Sequence, residues 1–324
     1  MSSEATASLS QGGYWLIGNL CDVRVPLPIE IAHDLRIERP NADQLAVIHD
    51  HLSRADPYTD LRFHFETHLV PVEGITGART RETLPEADWK YLIAAYAGHS
   101  RLNILDFFYA CSTVEPTLFW IASIGTAGAF GVGATKSYGL DSTGIHARHL
   151  GFSPDGVDVI DATAVQRMRD AYNAIVALDR TAYRGPYRST ELLELFGRLP
   201  MLNFLDPLAL FMIIEMLLTH NPGDREIGDS LSHQIREKIP FVLSRAGETL
   251  DYSVFQAAAS PETLWTKLYE YRSAVAHGGN PDFGSKLRIL KDAVTANRFL
   301  WQATRRLVRF ALSDPKLFDG LKPI

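Results

Sequence analysis

The stretch Leu268-Tyr269-Glu270-Tyr271-Arg272-Ser273-Ala274-Val275-Ala276-His277-Gly278-Gly279 governs the reading of the second half of the chain. It completes a helix that opens at Ser260-Pro261-Glu262, where a capping serine precedes proline. Gly278-Gly279 is a strong C-terminal stop. Arg272 and His277 have four residues between them. Five positions turn an ideal helix by about 500°, so the two side chains leave it about 140° apart. They do not share a face. Arginine can reach around, and His277 lies in the last turn, where the geometry loosens. The negative end of the helix dipole favours a protonated histidine there. A cationic His beside an always-charged Arg suits a phosphate. Such a pair supplies an acid/base and a charge clamp for phosphodiester cleavage, with no metal and no cofactor. Spacing leaves a second reading open, in which both side chains simply interact with helix-end carbonyls.

Outward from this helix the second half reads as helical throughout. Helices are expected over Ala162 to Arg180, Thr190 to Leu199, Pro207 to about His220 with Asp206 as its cap, Ser230 to about Leu243 with an interruption at Pro240, and Lys286 to Leu312. The segment Phe211-Met212-Ile213-Ile214-Glu215-Met216-Leu217-Leu218 places one carboxylate in an apolar helix. Burying an unpaired carboxylate costs several kcal/mol, so Glu215 needs a cationic partner, and Arg272 is the natural candidate. Another base, or a solvent-facing helix edge, would also satisfy it.

The first half carries strand signals: Tyr14 to Ile17, Asp22 to Leu27, Leu61 to Val70, Thr117 to Ser123 and Val157 to Ile160. Asn41 can cap a helix to about Leu52, and Ala87 to Ala97 reads as helical. The expected organisation is a flexible tail over 1–12, an α+β, β-rich domain over 13–160, a helical linker over 161–189 and a helical domain over 190–324.

The 324 residues include 46% hydrophobic and 22% charged side chains, ordinary globular values that exclude a disordered, collagenous or coiled-coil chain. Two cysteines, Cys21 and Cys111, exclude a disulfide scaffold and fit a reducing compartment. Met1 to Gly13 lacks the basic cluster of a signal peptide. The run Pro207 to Leu218, with Glu215 inside it, is too short to span a bilayer. A soluble, cytoplasmic protein without a membrane partner is expected. The net charge of −6 is uneven. Ser285 to Ile324 holds nine Lys/Arg against three Asp/Glu. On one helix, Lys291, Arg298, Arg305 and Arg309 fall within about 40° of one another, a stripe that can follow an RNA backbone or can be a solvated or salt-bridged face.

Three weaker candidates remain. If Leu61 to Val70 is a strand, His64, Glu66 and His68 share one face and offer a metal-like ligand set. Same-face neighbours about 7 Å apart rarely converge on one ion, so a polar face is favoured. The glycines of Gly125 to Gly133 precede Lys136-Ser137, but Thr135 stands where a phosphate loop needs glycine. Asp141, His146 and His149 read as loop polar groups.

Leu268-Tyr269, Arg272-Ser273 and His277-Gly278 resemble the Leu-Tyr-x-x-Arg-Ser-x-x-x-His-Gly motif of the Apea-like branch of the HEPN superfamily. The upstream apolar helix with its internal Glu215, and the helix Ser232-His233-Gln234-Ile235-Arg236-Glu237-Lys238, resemble further parts of that branch. The resemblance covers about residues 190 to 312. It implies an all-α bundle that pairs with a second copy and brings two Arg/His motifs to one cleft. It also implies a hydrolase: a metal-independent endoribonuclease of antiviral defence or toxin systems, leaving 2′,3′-cyclic phosphate and 5′-hydroxyl ends. Arg272 would neutralise the scissile phosphate, and His277 would be general base or acid. Glu215 and Ser273 would assist. The N-terminal domain could sense a trigger ligand or protein. The alternative is a non-catalytic dimerisation module that binds RNA, a nucleotide or a partner.

Overall fold

Gly13–Ile17 (β1) is buried at all five positions, so its sequence GYWLI reads as an unbroken apolar run rather than an alternation. A strand covered on both faces has no solvent side to keep polar. The computed structural model describes residues 13–17, 22–55, 61–74, 76, 78–96, 101–115, 120–125, 136–138, 159–197, 204–220, 230–255 and 260–321. The chain divides into two compact units, one of Met1–Phe108 and Leu118–Arg169, the other of Tyr109–Thr117 and Asp170–Ile324.

The first unit is an antiparallel sheet with helices. Beyond β1 it has Asp22–Val23 (β2), Ile29–Ala32 (β3), Leu35–Glu38 (β4), Thr67–Pro71 (β5), Arg79–Thr83 (β6), Leu92–Tyr96 (β7), Trp120–Gly125 (β8), Lys136–Tyr138 (β9) and Val159–Ile160 (β10). Six strands pair antiparallel in the order β3-β4-β7-β1-β8-β9. Strand β1 sits inside, with Tyr14 opposite Ala95 on β7 and Ile124 on β8. Helix α1, Ala42–Ala55, opens with a reciprocal cap: Gln44 N–H donates to Asn41 Oδ1 and Asn41 N–H to Gln44 Oε1, both at 2.9 Å. That is the capping-box logic with Asn in the Ser/Thr place. Ile48 and Leu52 of α1 pack with Tyr14, Leu16, Phe65, Tyr91 and Ile93. Trp15 points to the other face, edge-on to Phe108 at 5.7 Å, on the helix Arg101–Ser112 (α3).

Two expectations in this unit are corrected. Leu61 to Val70 is not one strand: Phe63–Glu66 forms a helical turn (α2) before β5 begins at Thr67. Residues in that turn are about 100° apart rather than 180°, so the strand face expected for His64, Glu66 and His68 is not formed; the His64 side chain lies outside the described residues, and Glu66 and His68 go to different partners. Glu66 turns toward α1, its Oε1 3.1 Å from His49 Nε2 and accepting from the Tyr91 hydroxyl at 2.7 Å. His68 instead faces Glu82 at 3.8 Å. No group of three or more His, Cys, Asp or Glu is placed to hold a metal among the described residues. Ala87 to Ala97 is not helical either. After a single 3₁₀ turn at Glu86–Asp88, β7 runs between β4 and β1. Cross-strand pairing on both sides outweighs the helix propensity of its alanines. The glycine-rich segment up to Thr135, the loop of Asp141, His146 and His149, Cys21 and residues 1–12 lie outside the described residues.

The second unit is predominantly helical: the second half of Ala162–Ala177 (α4), then Arg184–Gly197 (α5), Asp206–Leu218 (α6), Leu231–Arg245 (α7), Pro261–Ala276 (α8), Ala293–Ser313 (α9) and Pro315–Gly320 (α10). Helix α6 packs against α5, α7, α8 and α9. Burial on several sides explains why its sequence is apolar nearly all round. Phe211 on α6, Trp265 on α8 and Phe299 on α9 meet edge-on or tilted at 6.5 and 5.7 Å. Starts are set by side chains: Ser230, Ser260 and Asp292 accept from the N–H groups of His233, Thr263 and Thr295. Pro240 does not interrupt α7, which runs on to Arg245. Helix α9, expected from Lys286, is shorter than expected, because Asp292 caps it and a 3₁₀ turn at Arg288–Leu290 precedes it. No helix among the described residues is long and apolar enough to cross a membrane.

Candidate active site

Helix α8 ends in a complete Schellman arrangement. Gly279 N–H donates to Ala274 C=O at 2.8 Å, and Gly278 N–H to Val275 C=O at 3.0 Å. The chain reverses at Gly278 with φ +71°, a left-handed conformation that costs glycine little. His277 is the last residue before that reversal, with φ −93° and ψ 11°. Its backbone N–H is taken by Ser273 C=O at 3.1 Å, and its imidazole is exposed. The helix end is therefore held by backbone groups, and the His277 side chain is left over for other work. Ser273 is half-buried.

One turn and a half earlier, Arg272 crosses to α6. Its Nη2 lies 3.4 Å from Glu215 Oε2. The side chains keep 28% and 19% of their exposure, so the pair sits in a wall rather than in the core. This is the partner the buried-carboxylate argument calls for. The contact is single and long, not a bidentate fork. Glu215 Oε1 and Arg272 Nε are both buried and make no hydrogen bond to a described residue. A third residue supports the guanidinium: Arg272 Cζ lies 5.7 Å from the centre of the Tyr269 ring, within cation–π range. The ring of Tyr269 is itself braced edge-on by Phe211 at 5.6 Å. Tyr269 lies three residues before Arg272, and that helical spacing was the signal that could have singled it out.

Burial pushes the Glu215 carboxyl above its ordinary value, and the Arg272 charge pulls it back by less. The ionised form is thus disfavoured in the fold relative to the unfolded chain. Its contribution is most favourable below the unfolded carboxyl value and is lost as pH rises through the higher folded value. Glu215→Gln has no such loss. Urea midpoints measured from acid to neutral pH are expected to rise for Glu215→Gln relative to wild type across that window. A difference independent of pH, or of opposite slope, contradicts the assignment.

The terminal stripe does not survive as a free cationic surface. Lys291 precedes α9, with φ +64°, and is not on the helix. Arg305 is buried at 7% exposure. Its Nη1 meets Glu115 at 2.6 Å and its Nε donates to Ser112 C=O at 3.2 Å. Arg309 donates to Thr113 C=O and, at 3.1 Å, to Glu248. The stretch 109–115 belongs to this unit and supplies acceptors at Ser112, Thr113 and Glu115, which a helical wheel drawn for α9 alone cannot reveal. Of the four stripe residues, Lys291 and Arg298 are exposed.

Chemically, the wall at α8 offers a partly shielded guanidinium, a carboxylate with a raised proton affinity and an exposed imidazole at a helix terminus. That set can bind an oxyanion and exchange protons with a group beside it. No family model, no curated protein and no solved structure matches this chain.

Proposed function

We propose that the chain is a metal-independent endoribonuclease of the HEPN type that cleaves single-stranded RNA. The observation that carries this reading is the division of labour on α8. Arg272 is oriented by Glu215 and Tyr269, while the His277 imidazole stays exposed at the helix end. In the proposed reaction the RNA 2′-oxygen forms the new bond to phosphorus as the bond from phosphorus to the 5′-oxygen breaks. Two protons move: His277 either takes the 2′-hydroxyl proton or delivers one to the leaving 5′-oxygen, solvent makes the other transfer, and Arg272 neutralises the non-bridging oxygens. Products carry a 2′,3′-cyclic phosphate and a 5′-hydroxyl. Glu215 acts by holding Arg272, and Ser273 lies next to it in the chain.

A homodimer accompanies this reading. Leu205 and Met212 are exposed on α6 and its approach, and Leu208, Ala209 and Met216 on the same side are half-buried. A helix that is apolar even on its open side calls for a cover. A second copy would bring two Arg272/His277 pairs to one groove, and the N-terminal unit would carry the response to a trigger. A second reading, a binding and dimerisation module without cleavage, draws on the Arg272–Glu215 pair, because a guanidinium already engaged has less charge to offer a phosphate.

The test is incubation of the purified chain with mixed single-stranded RNA in EDTA, followed by end-group analysis. Cleavage with cyclic phosphate ends is expected, and Arg272→Ala is expected to abolish it. Binding of RNA without cleavage by a folded dimer, with and without candidate triggers, would favour the module instead.

A further inference from the structure

Seven of the nine Lys/Arg in the last forty residues lie between the end of α8 and the end of α9, and they fall into two populations. Arg305, Arg306 and Arg309 are engaged by Glu115 and Glu248. Lys286, Arg288, Lys291 and Arg298 are exposed, and no side-chain hydrogen bond or ion pair joins any of them to a described residue. All four lie between the end of α8 and the second turn of α9. The two carboxylates of the same connection are turned to the backbone: Asp282 accepts from Ser285 N–H at 2.9 Å and Asp292 from Thr295 N–H at 2.7 Å.

This connection is a built platform. Phe283 packs edge-on to Tyr271 of α8 at 5.2 Å. Leu287 and Leu290 are buried, and the 3₁₀ turn Arg288–Leu290 packs on both α8 and α9. Its cations are therefore presented from a fixed base. Lys291 is the informative one. Its φ of 64° and ψ of −70°, with Asp292 N–H donating to Leu290 C=O at 2.8 Å, make a three-residue γ-turn of the rare, positive-φ kind. A non-glycine residue held there is strained, at a cost in free energy. Within the chain, the lysine side chain makes no described contact that offsets this cost. Strain without an internal return points to an external partner, and the partner of four exposed cations is a polyanion.

We propose that Lys286, Arg288, Lys291 and Arg298 form a docking surface for the phosphate backbone of single-stranded RNA, leading from the His277 end of α8. The choice of RNA among polyanions rests on the ribonuclease reading; the cationic surface does not. No aromatic side chain is exposed between 286 and 298, so the surface reads phosphates and not base faces, and binding is salt-sensitive and tolerant of sequence.

The test uses the full chain carrying His277→Ala. Fluorescence anisotropy with an end-labelled single strand of about 20 nucleotides is followed from about 50 to 200 mM salt. Replacing all four cations by glutamine is expected to weaken binding on the order of 10²-fold near 0.1 M salt and to reduce the log–log salt slope by about 3. Lys291→Gly is expected to reduce the slope by about 0.7 while raising the thermal midpoint, because the turn is relieved. Lys316→Gln, on α10, should change neither. Unchanged affinity and slope in the folded fourfold variant, or no RNA binding by the parent, overturns the surface. Cleavage by the His277 chain with unchanged binding in the fourfold variant removes the surface but keeps the nuclease. Salt-dependent binding that is lost in the fourfold variant, with no cleavage under any condition, keeps the surface and removes the nuclease.

Discussion

Replacing His277 by alanine is expected to slow RNA cleavage by about 10²–10⁴-fold, the contribution of one positioned acid or base, and to leave the fold intact. The separation follows from the end of α8. The bonds that close it come from the N–H groups of His277, Gly278 and Gly279, none of which the substitution removes. The imidazole is exposed, and a surface change of this kind moves stability by about 0.5 kcal/mol or less. Alanine accepts φ −93° without strain. Single-turnover cleavage and a thermal melt on the same preparation check both halves. A rate unchanged by the substitution places the chemistry elsewhere. A collapse of the melt means that the side chain holds the helix end after all, the bland alternative for this residue.

Arg305→Ala is expected to do the opposite: to cost roughly 2–4 kcal/mol of stability, from lost charge-assisted hydrogen bonds and lost packing of the arginine stem. Arg305 is the most enclosed arginine among the described residues. It spans from Trp301, whose ring centre is 5.1 Å from its Cζ, to Ser112 C=O and the Glu115 carboxylate. Removing it strips a buried carbonyl of its donor. Glu115 remains 40% exposed and can be solvated, which keeps the loss below that of a fully buried pair. The pair variant Arg305→Met with Glu115→Gln should recover part of the loss through packing against Trp301. Denaturant midpoints decide the matter. An Arg305→Ala chain as stable as wild type, with a shallower salt slope for RNA, would return this residue to the nucleic-acid surface.

The legible parts of the molecule are those governed by neighbours along the chain. Ser260-Pro261 and Gly278-Gly279 mark the two ends of α8 because capping and reversal are settled within a few residues. The reciprocal Asn41 and Gln44 cap is local in the same way. The Glu215–Arg272 pair was also within reach, by a different route. A carboxylate inside an apolar helix carries its own demand for a cation, whatever the tertiary structure supplies. The elements misjudged were those in which pairing or packing outweighed pattern. Phe63 to Leu69 alternates like a strand, yet the chain turns at Phe63–Glu66 and sends Glu66 to His49 and Tyr91. Leu92–Tyr96 has the composition of a helix, but two neighbouring strands claim its backbone.

For the site, residue order alone settled where α8 begins and ends, that His277 stands at its last turn, and that Glu215 must be compensated. Those are consequences of backbone geometry and desolvation, which act at short range. Which cations remain available to a ligand was a tertiary outcome. Arg305 and Arg309 are equivalent on a helical wheel to Arg298, and only the packing of Ser112, Thr113, Glu115 and Glu248 against them separates arginines spent inside the fold from one left at the surface. Charge pairing depends on distances between residues far apart in the chain, and those distances are set when the helices pack.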